Sequence, residues 1–477
     1  MSQKLQKNLK TRHLVMIALG GSIGTGLFLA SGEVIHAAGP MGAVLAYLIM
    51  AIIVYMLMCS LGEMASYSPT AGTFCEYCRR YVSPEFGFAM GWNYWFNWAV
   101  TVSAEIIAAS FIMQYWFPDI HLLYWSTLFF TTIFTLNCRA VKIYGEIEYW
   151  LSLVKITFVV GFIIIGFSMI FGVVGNSSLL TKWADNTFIP FHNGLFGFMT
   201  VFLIAGFSFQ GTEMVSIAAG EARNPEKSIP AAIQHTFWRL VIFYIFSIIV
   251  ISALIPYTEH SLIENSKNIA NSPFTVILKN AGFSGAATIM NALILVAILS
   301  ACNASMYSAT RIMWHLANTR QAPKVFNYIN DAGIPINALI FSGVIGCFFF
   351  LTVIFDNGIV LFFLIKISSL TGFIAWFGIA LSHFRFRRAY IKQGYDVKHL
   401  PYRAKWFPVA PIISMIAIII IILGQETINI IQGTVIWKEF CTTYVGLIFF
   451  VLLLITYKIT QRSSITSLSQ CKIEKIH

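Results

Sequence analysis

The sequence predicts an all-α polytopic membrane protein of about twelve spanning helices, and three observations carry that reading. The first is composition: 57% of the 477 residues are hydrophobic, 11% are charged, and the mean hydropathy is +0.75. Soluble domains carry about 25% charge, so most of this chain has no water-facing role. The second is length. Apolar runs long enough to cross a hydrocarbon core of roughly 30 Å as helix recur with centres near residues 26, 54, 98, 130, 160, 206, 243, 297, 345, 371, 416 and 450. The third is pattern. IIVYMLM and FIIIGF are continuously apolar, whereas a membrane β-strand alternates apolar and polar residues.

The formal net charge of +11 orients the chain and does not mark a nucleic-acid surface. With twelve spans and both termini cytoplasmic, 25 of the 31 Lys and Arg residues fall inside and 4 in outside loops. That bias is the positive-inside rule. The first apolar run is read as a span, because it is too long for a leader's apolar core and no A-x-A site follows it. The eight cysteines are scattered through spans, so no disulfide framework is expected. Cys75 and Cys78 form one CxxC, but no second pair completes a zinc site. No metal and no cofactor is expected.

No soluble domain interrupts the pattern. A cytoplasmic tail at 1–12 leads into one transmembrane domain at 13–460, and a second cytoplasmic tail follows at 461–477. Within the domain, a first repeat is expected at about 13–175, a second at about 190–384, and two further helices at about 408–460.

The repeat boundaries rest on two odd stretches. LGGSIGTGLFL (19–29) places Gly20, Gly21, Gly24 and Gly26 with Ser22 and Thr25 inside the first span. Each interior Gly costs a helix about 1 kcal/mol relative to Ala. Close packing through Gly20 and Gly24 is the plain explanation, but these small residues cover the whole circumference, not one face. Unwinding accounts for them better, and irregular backbone at depth is tolerated where it lines a cavity or is buried in protein. AGFSFQGTE (205–213) is the second such stretch, in the sixth span. Interrupted spans in matching places of two five-span halves point to an inverted-repeat transporter. Freed N–H groups of the first break suit a carboxylate, and freed carbonyls before Gly211 suit an ammonium group. Together they predict a site for an α-amino acid.

Ionisable residues within spans are expensive, roughly 2.5–3.5 kcal/mol on insertion scales, and are functional candidates by default. Lys155 in YWLSLVKITFVV lies far from either interface and is a candidate for proton exchange or for a cation's place. Glu105 in AVTVSAEIIAAS sits near the middle of span three, and Glu213 follows the span-six break. Glu221 is closer to the cytosolic end and suits a gate or helix-end role, while Glu63 reads as structural.

GGSIGTGLF, GWNYWFNWAV, YGEIEYWLSLVKI, AGFSFQGTEMVSIAAGEARNPEKSIP and SSLTGFIAWFGIALSHFRFRR resemble bacterial amino-acid permeases of the amino acid–polyamine–organocation superfamily. The likeness runs from about residue 8 to 460, and the FSFQGTE and AAGE wording resembles the lysine-permease branch. The resemblance implies a leucine-transporter-like 5+5 inverted repeat with helices 1 and 6 unwound at mid-membrane. It implies that Ser22, Ile23, Gly24, Thr25 and Gly26 hold the substrate carboxylate, that Ala205, Phe207 and Ser208 hold the α-amine, and that Phe209 stands near a gate. Glu105 and Glu213 would contact the substrate. Lys155, Glu213 and Glu221 would serve proton coupling, Lys155 standing where sodium-coupled relatives bind a cation. Lys366 departs from the branch's pattern, which has a neutral residue there, and it would repel a cationic substrate if it faced the cavity.

The expected function is therefore proton-coupled import of an amino acid, L-lysine first, across the inner membrane, with the proton gradient as driving force. An exchanger of amino acids or amines, or an importer of arginine or of a neutral or aromatic amino acid, shares these features. The expected partners are the substrate and the bilayer, with no nucleic acid. The oligomeric state and a membrane sensor partner stay open. No paired nucleophile and base appears at a span end, so the chain is not expected to be an enzyme.

Overall fold

The computed structural model describes residues 16, 21–69, 73–139, 141–174, 190–218, 225–256, 272–280, 285–426, 430–431, 433, 437–462 and 464–473. Gly20 and Glu221 lie outside the described residues, so their expected roles are not addressed by it. Among the described residues the regular elements are all helical. Among the described residues, eight helices are long and apolar enough to cross a membrane, and two shorter apolar stretches, Val241–Leu254 and Val409–Gly424, accompany them.

In chain order the helices are α1 (Thr25–Phe28), α2 (Ser31–Tyr67), α3 (Thr73–Tyr77), α4 (Pro84–Met113), α5 (Leu122–Asn137) and α6 (Val141–Ile170). There follow α7 (Gly194–Thr200), α8 (Phe202–Phe209), α9 (Met214–Ala218), α10 (Pro225–Leu254), α11 (Pro273–Asn280) and α12 (Ala286–Asn318). The last are α13 (Ile336–Gly346), α14 (Asn357–Lys392), α15 (Val409–Gly424) and α16 (Trp437–Gln461).

Local chemistry sets the ends of these elements. Ser83 caps α4 by accepting from the Phe86 N–H, with Pro84 at the first helical position, where its missing donor costs nothing. Asp356 caps α14 by accepting from the Gly358 and Ile359 N–H groups. Within α2, Gly39 takes φ +77° immediately before Pro40, so two helical segments meet there at a kink. The first segment, from Ser31, therefore ends where the sequence's first apolar run ends.

Packing around α4 places the site. This helix is buried along nearly its whole length against α12, α14, α16 and α5. The two most extensive helix–helix interfaces among the described residues are α4 with α12 and α2 with α10. By contrast α6 and α16 turn apolar side chains outward, Ile164 being 61% exposed and Ile459 72%. Such faces suit lipid, as a helix apolar all round requires. On α5 the hydroxyls of Thr127, Thr131, Thr132 and Thr135 donate to carbonyls four residues earlier. That internal bonding removes the cost of an unsatisfied polar group facing hydrocarbon.

Candidate functional site

Each odd stretch of sequence contains a local break from helical backbone angles, and the two lie against each other. Gly24 takes φ −145° and ψ −147°, so α1 starts from non-helical backbone. After α8, Gln210 is extended (φ −61°, ψ 146°) and Gly211 adopts φ +100°, a conformation that glycine takes without strain. The contact is close: a Cβ on Gly26 would lie 2.7 Å from the Ser208 Cα, and one on Gly211 would lie 2.8 Å from the Gly21 carbonyl carbon. Glycine is required at these two positions because backbone meets backbone.

A tyrosine from α10 joins the two breaks. The Tyr244 hydroxyl lies 2.7 Å from the Ser22 carbonyl and 2.6 Å from the Ser208 carbonyl, so one phenol O–H serves both freed acceptors. Tyr47 from α2 adds a hydroxyl contact at 2.9 Å to the Ser208 Oγ. The Phe209 ring packs edge-on against Tyr244 at 4.8 Å and is fully buried. Ala205 is also fully buried, inside α8.

The N-terminal end of α1 is met by the carboxyl group of Glu105. Glu105 accepts at 2.7 Å from the Thr25 hydroxyl and at 3.4 Å from the Thr25 N–H through the same carboxylate oxygen. Glu105 and Thr25, both expected at the substrate site, are thus in direct contact. On the other side of the break, the Lys155 Nζ donates to the Ile23 carbonyl at 3.1 Å, with the side chain only 1% exposed. Lys155 is thus no snorkelling lysine. It also lies within electrostatic reach of both Glu148 and Glu105. Glu148 is fully buried and accepts from the Ser300 Oγ at 2.5 Å. Sequence reasoning quoted its motif but missed Glu148 itself. The signal was present, since Glu148 stands seven residues, about two helical turns, before Lys155 and so shares its face.

Glu213 sits apart from that charged group. Its carboxylate accepts from the Tyr94 hydroxyl, the Trp376 Nε1 and the Thr212 hydroxyl, each at 3.3 Å. A buried carboxylate served by neutral donors is a place where a cation gains most, because low dielectric strengthens the attraction. A third polar cluster joins α4 to α14 through the extended Gln210. Its amide donates to the Ser368 and Ser369 carbonyls at 3.0 and 3.3 Å, while Asn97 donates to the Ser368 carbonyl at 2.5 Å. The Asn97 Oδ1 is buried with no hydrogen-bond partner among the described residues.

Between these groups lies a very small cavity of about 10 Å³, lined in part by Ser22, Gly24, Trp98, Glu105, Phe207 and Gln210, so the site is closed in this structure. Ile23, Thr25 and Lys155 stand directly behind its wall, linked through the contacts above. Glu213 is one layer further out, behind Tyr94, whose ring meets Trp98 at 5.9 Å. Lys366 is exposed and lies within electrostatic reach of Glu33. It is not among the residues lining the cavity.

The described residues form an all-helical bundle with apolar, membrane-length helices and a polar interior around these two stretches. The family model described as amino acid permease matches residues 13–470, and the chain belongs to that family, within the amino acid–polyamine–organocation superfamily. It is 47% identical over 471 residues to the lysine-specific permease of Escherichia coli (strain K12), covering 98% of this chain and 96% of that protein. It is 46% identical over 478 residues to the histidine permease of Lactococcus lactis subsp. cremoris (strain MG1363), covering 99% and 98%. With the lysine-specific permease of Saccharomyces cerevisiae (strain ATCC 204508 / S288c) it shares 35% over 453 residues, covering 93% and 74%. These relatives are permeases, not enzymes, and the chain is a multi-pass membrane amino acid permease.

Proposed function

We propose that this permease is a proton-coupled importer of L-lysine with a twelve-span, five-plus-five inverted-repeat architecture, interrupted in spans one and six. The pairing of interfaces supports the repeat. Under a five-span offset α2 corresponds to α10, α4 to α12 and α1 to α8, and each pair is in contact, as elements related by a two-fold axis between halves would be. The positive-inside bias supports an inner-membrane location with both termini cytoplasmic.

The observation that carries the mechanism is the seat of Glu105 on the Thr25 hydroxyl and N–H. A substrate carboxylate needs those donors, and two carboxylates cannot share them without strong repulsion. A proton taken up by Glu105 weakens its hold on Thr25 and lets the substrate carboxylate replace it. The ammonium of Lys155, anchored on the Ile23 carbonyl, stabilises whichever anion is present, and Glu148 positions Lys155. The α-amine then meets carbonyls at Ala205, Phe207 and Ser208, with Phe209 packed behind them. Release to the cytosol returns the proton and restores the Glu105–Thr25 contact.

For the side chain, Glu213 and the unpartnered Asn97 Oδ1 both favour a cation at the span-six break. Reaching Glu213 requires Tyr94 and Trp98 to move aside. Glu221 keeps its proposed place in coupling or gating. Histidine is the second reading, favoured by the comparable similarity to a histidine permease.

Purified protein in liposomes, with an imposed pH gradient and no sodium, tests the proposal. Labelled lysine should accumulate inside, be displaced by unlabelled lysine, and resist displacement by neutral amino acids. Accumulation of histidine in preference to lysine would replace the substrate, and lysine exchange without gradient-driven accumulation would replace the coupling.

A further inference from the structure

At the end of the bundle where basic residues concentrate, the connection from α14 to α15 folds over a cavity of about 100 Å³ between α2, α10 and α15. Its wall includes Tyr55 and Cys59 of α2, Gln234 of α10, and Tyr402, Arg403 and Lys405 of the connection. Arg403 and Lys405 are exposed, and no carboxylate among the described residues pairs with either. Glu63, one turn beyond Cys59, is already neutralised by Arg387. Burial and the adjacent Cys59 thiol hold the Tyr402 phenol well above its ordinary pKa, so it remains a hydroxyl donor.

The rim is built for a membrane interface. Trp406 is 64% exposed and adopts φ +61°, a left-handed conformation that non-glycine residues rarely take. Trp238 is also exposed, and the Tyr55 ring packs against Phe237 at 4.7 Å beside it. Amphipathic rings of this kind sit at headgroup level. From the cavity, the exposed side chains of Ile412, Ile413, Ile416 and Ile420 run along α15.

We propose that this cavity binds the phosphate of an anionic glycerophospholipid from the cytoplasmic leaflet, with its acyl chains lying on the isoleucine face of α15. Arg403 and Lys405 neutralise the phosphate, and Tyr402 and Gln234 donate to its oxygens. Basic pockets between membrane helices on this side take such headgroups. The bound lipid also holds the connection that brings the Ala404 N–H onto the Glu63 carboxylate. Nothing in this inference depends on substrate or coupling ion.

The test uses the full chain in detergent, with phosphatidylglycerol and phosphatidylcholine offered in equal amounts and retention read by native mass spectrometry. The wild type should keep phosphatidylglycerol in preference. The double variant R403Q/K405Q should lose that preference by roughly tenfold or more, since each cation near a phosphate contributes about fivefold. Lys405→Arg should retain it, and Lys398→Gln, elsewhere on the same connection, should leave it unchanged. Equal retention by wild type and R403Q/K405Q overturns the proposal. So does a thermal shift produced by inorganic phosphate alone, dependent on Arg403 and Lys405, to which the lipid adds nothing.

Discussion

The Lys155 ε-amine lies 3.1 Å from the Ile23 carbonyl oxygen, so a cation from α6 is fixed to the break in the first span. A hydrogen bond from a charged group is worth about 1.5–3 kcal/mol, enough to decide which backbone arrangement persists. Replacing Lys155 with Ala should remove that anchor and leave Glu105 and Glu148 without their cation. Lysine accumulation driven by a pH gradient in liposomes should fall at least roughly tenfold, the factor that corresponds to 1.4 kcal/mol. Full accumulation by the variant would end the role given to Lys155.

Glu105→Gln tests the exchange of carboxylates at Thr25. In the wild type, binding should strengthen as pH falls, because protonated Glu105 releases the Thr25 donors. The glutamine is permanently uncharged and imitates the protonated state. Lysine affinity of the variant should therefore vary far less with pH than that of the wild type. A variant that keeps the wild-type pH profile would show that the titrating group lies elsewhere.

Gly26→Ala examines how closely the two breaks must approach. Its added Cβ would meet the Ser208 backbone at 2.7 Å, and backbone in a packed core cannot yield cheaply. Gly161→Ala is the control, because nothing lies within 4 Å of the Cβ it adds. The first variant should express at reduced level and show little uptake. The second should match the wild type in both uptake assay and thermal melt.

The two odd stretches were legible in the sequence because glycine and hydroxyl residues clustered where an apolar helix should be regular. The partners of the breaks were not. Tyr244 lies in VIFYIFSIIV, where a tyrosine has the same apolar surroundings whether it faces lipid or a carbonyl, and only three-dimensional packing separates the two. Glu148 escaped notice for a different reason: it sits at the start of the apolar span, where a glutamate is unremarkable, until its face is seen to coincide with that of Lys155. Lys366 shows the converse. Its position within a span raised the expectation of cavity charge, but a helix has several faces, and this one lies exposed, off the cavity wall and near Glu33.

Glu213→Gln addresses the side-chain end of the substrate. The carboxylate accepts from Tyr94, Trp376 and Thr212, so a glutamine amide nitrogen would confront a donor with a donor. Loss of the charge should weaken lysine binding by roughly tenfold or more, as removing one partner of a charge pair in a desolvated site does. Binding of a neutral amino acid in competition assays should change far less. An equal loss for both ligands would make Glu213 a structural residue of the span-six break.

Arg387→Ala probes the closure of the end opposite the α1 half-helix. Arg387 Nε donates to Glu63 at 2.6 Å, a second guanidinium nitrogen meets the other carboxylate oxygen, and the Ala404 N–H adds a bond at 2.7 Å. His383 Nε2 stands 3.1 Å from the same carboxylate. Both charged side chains are buried, so removing the arginine strands a carboxylate away from water. Breaking such a pair costs about 3–5 kcal/mol, whereas replacing both partners costs far less. Thermal melting of the purified protein should therefore rank Arg387→Ala well below the double variant E63Q/R387Q. The reverse order would mean that the pair is solvated during the working cycle, and that its contribution is to gating and not to stability.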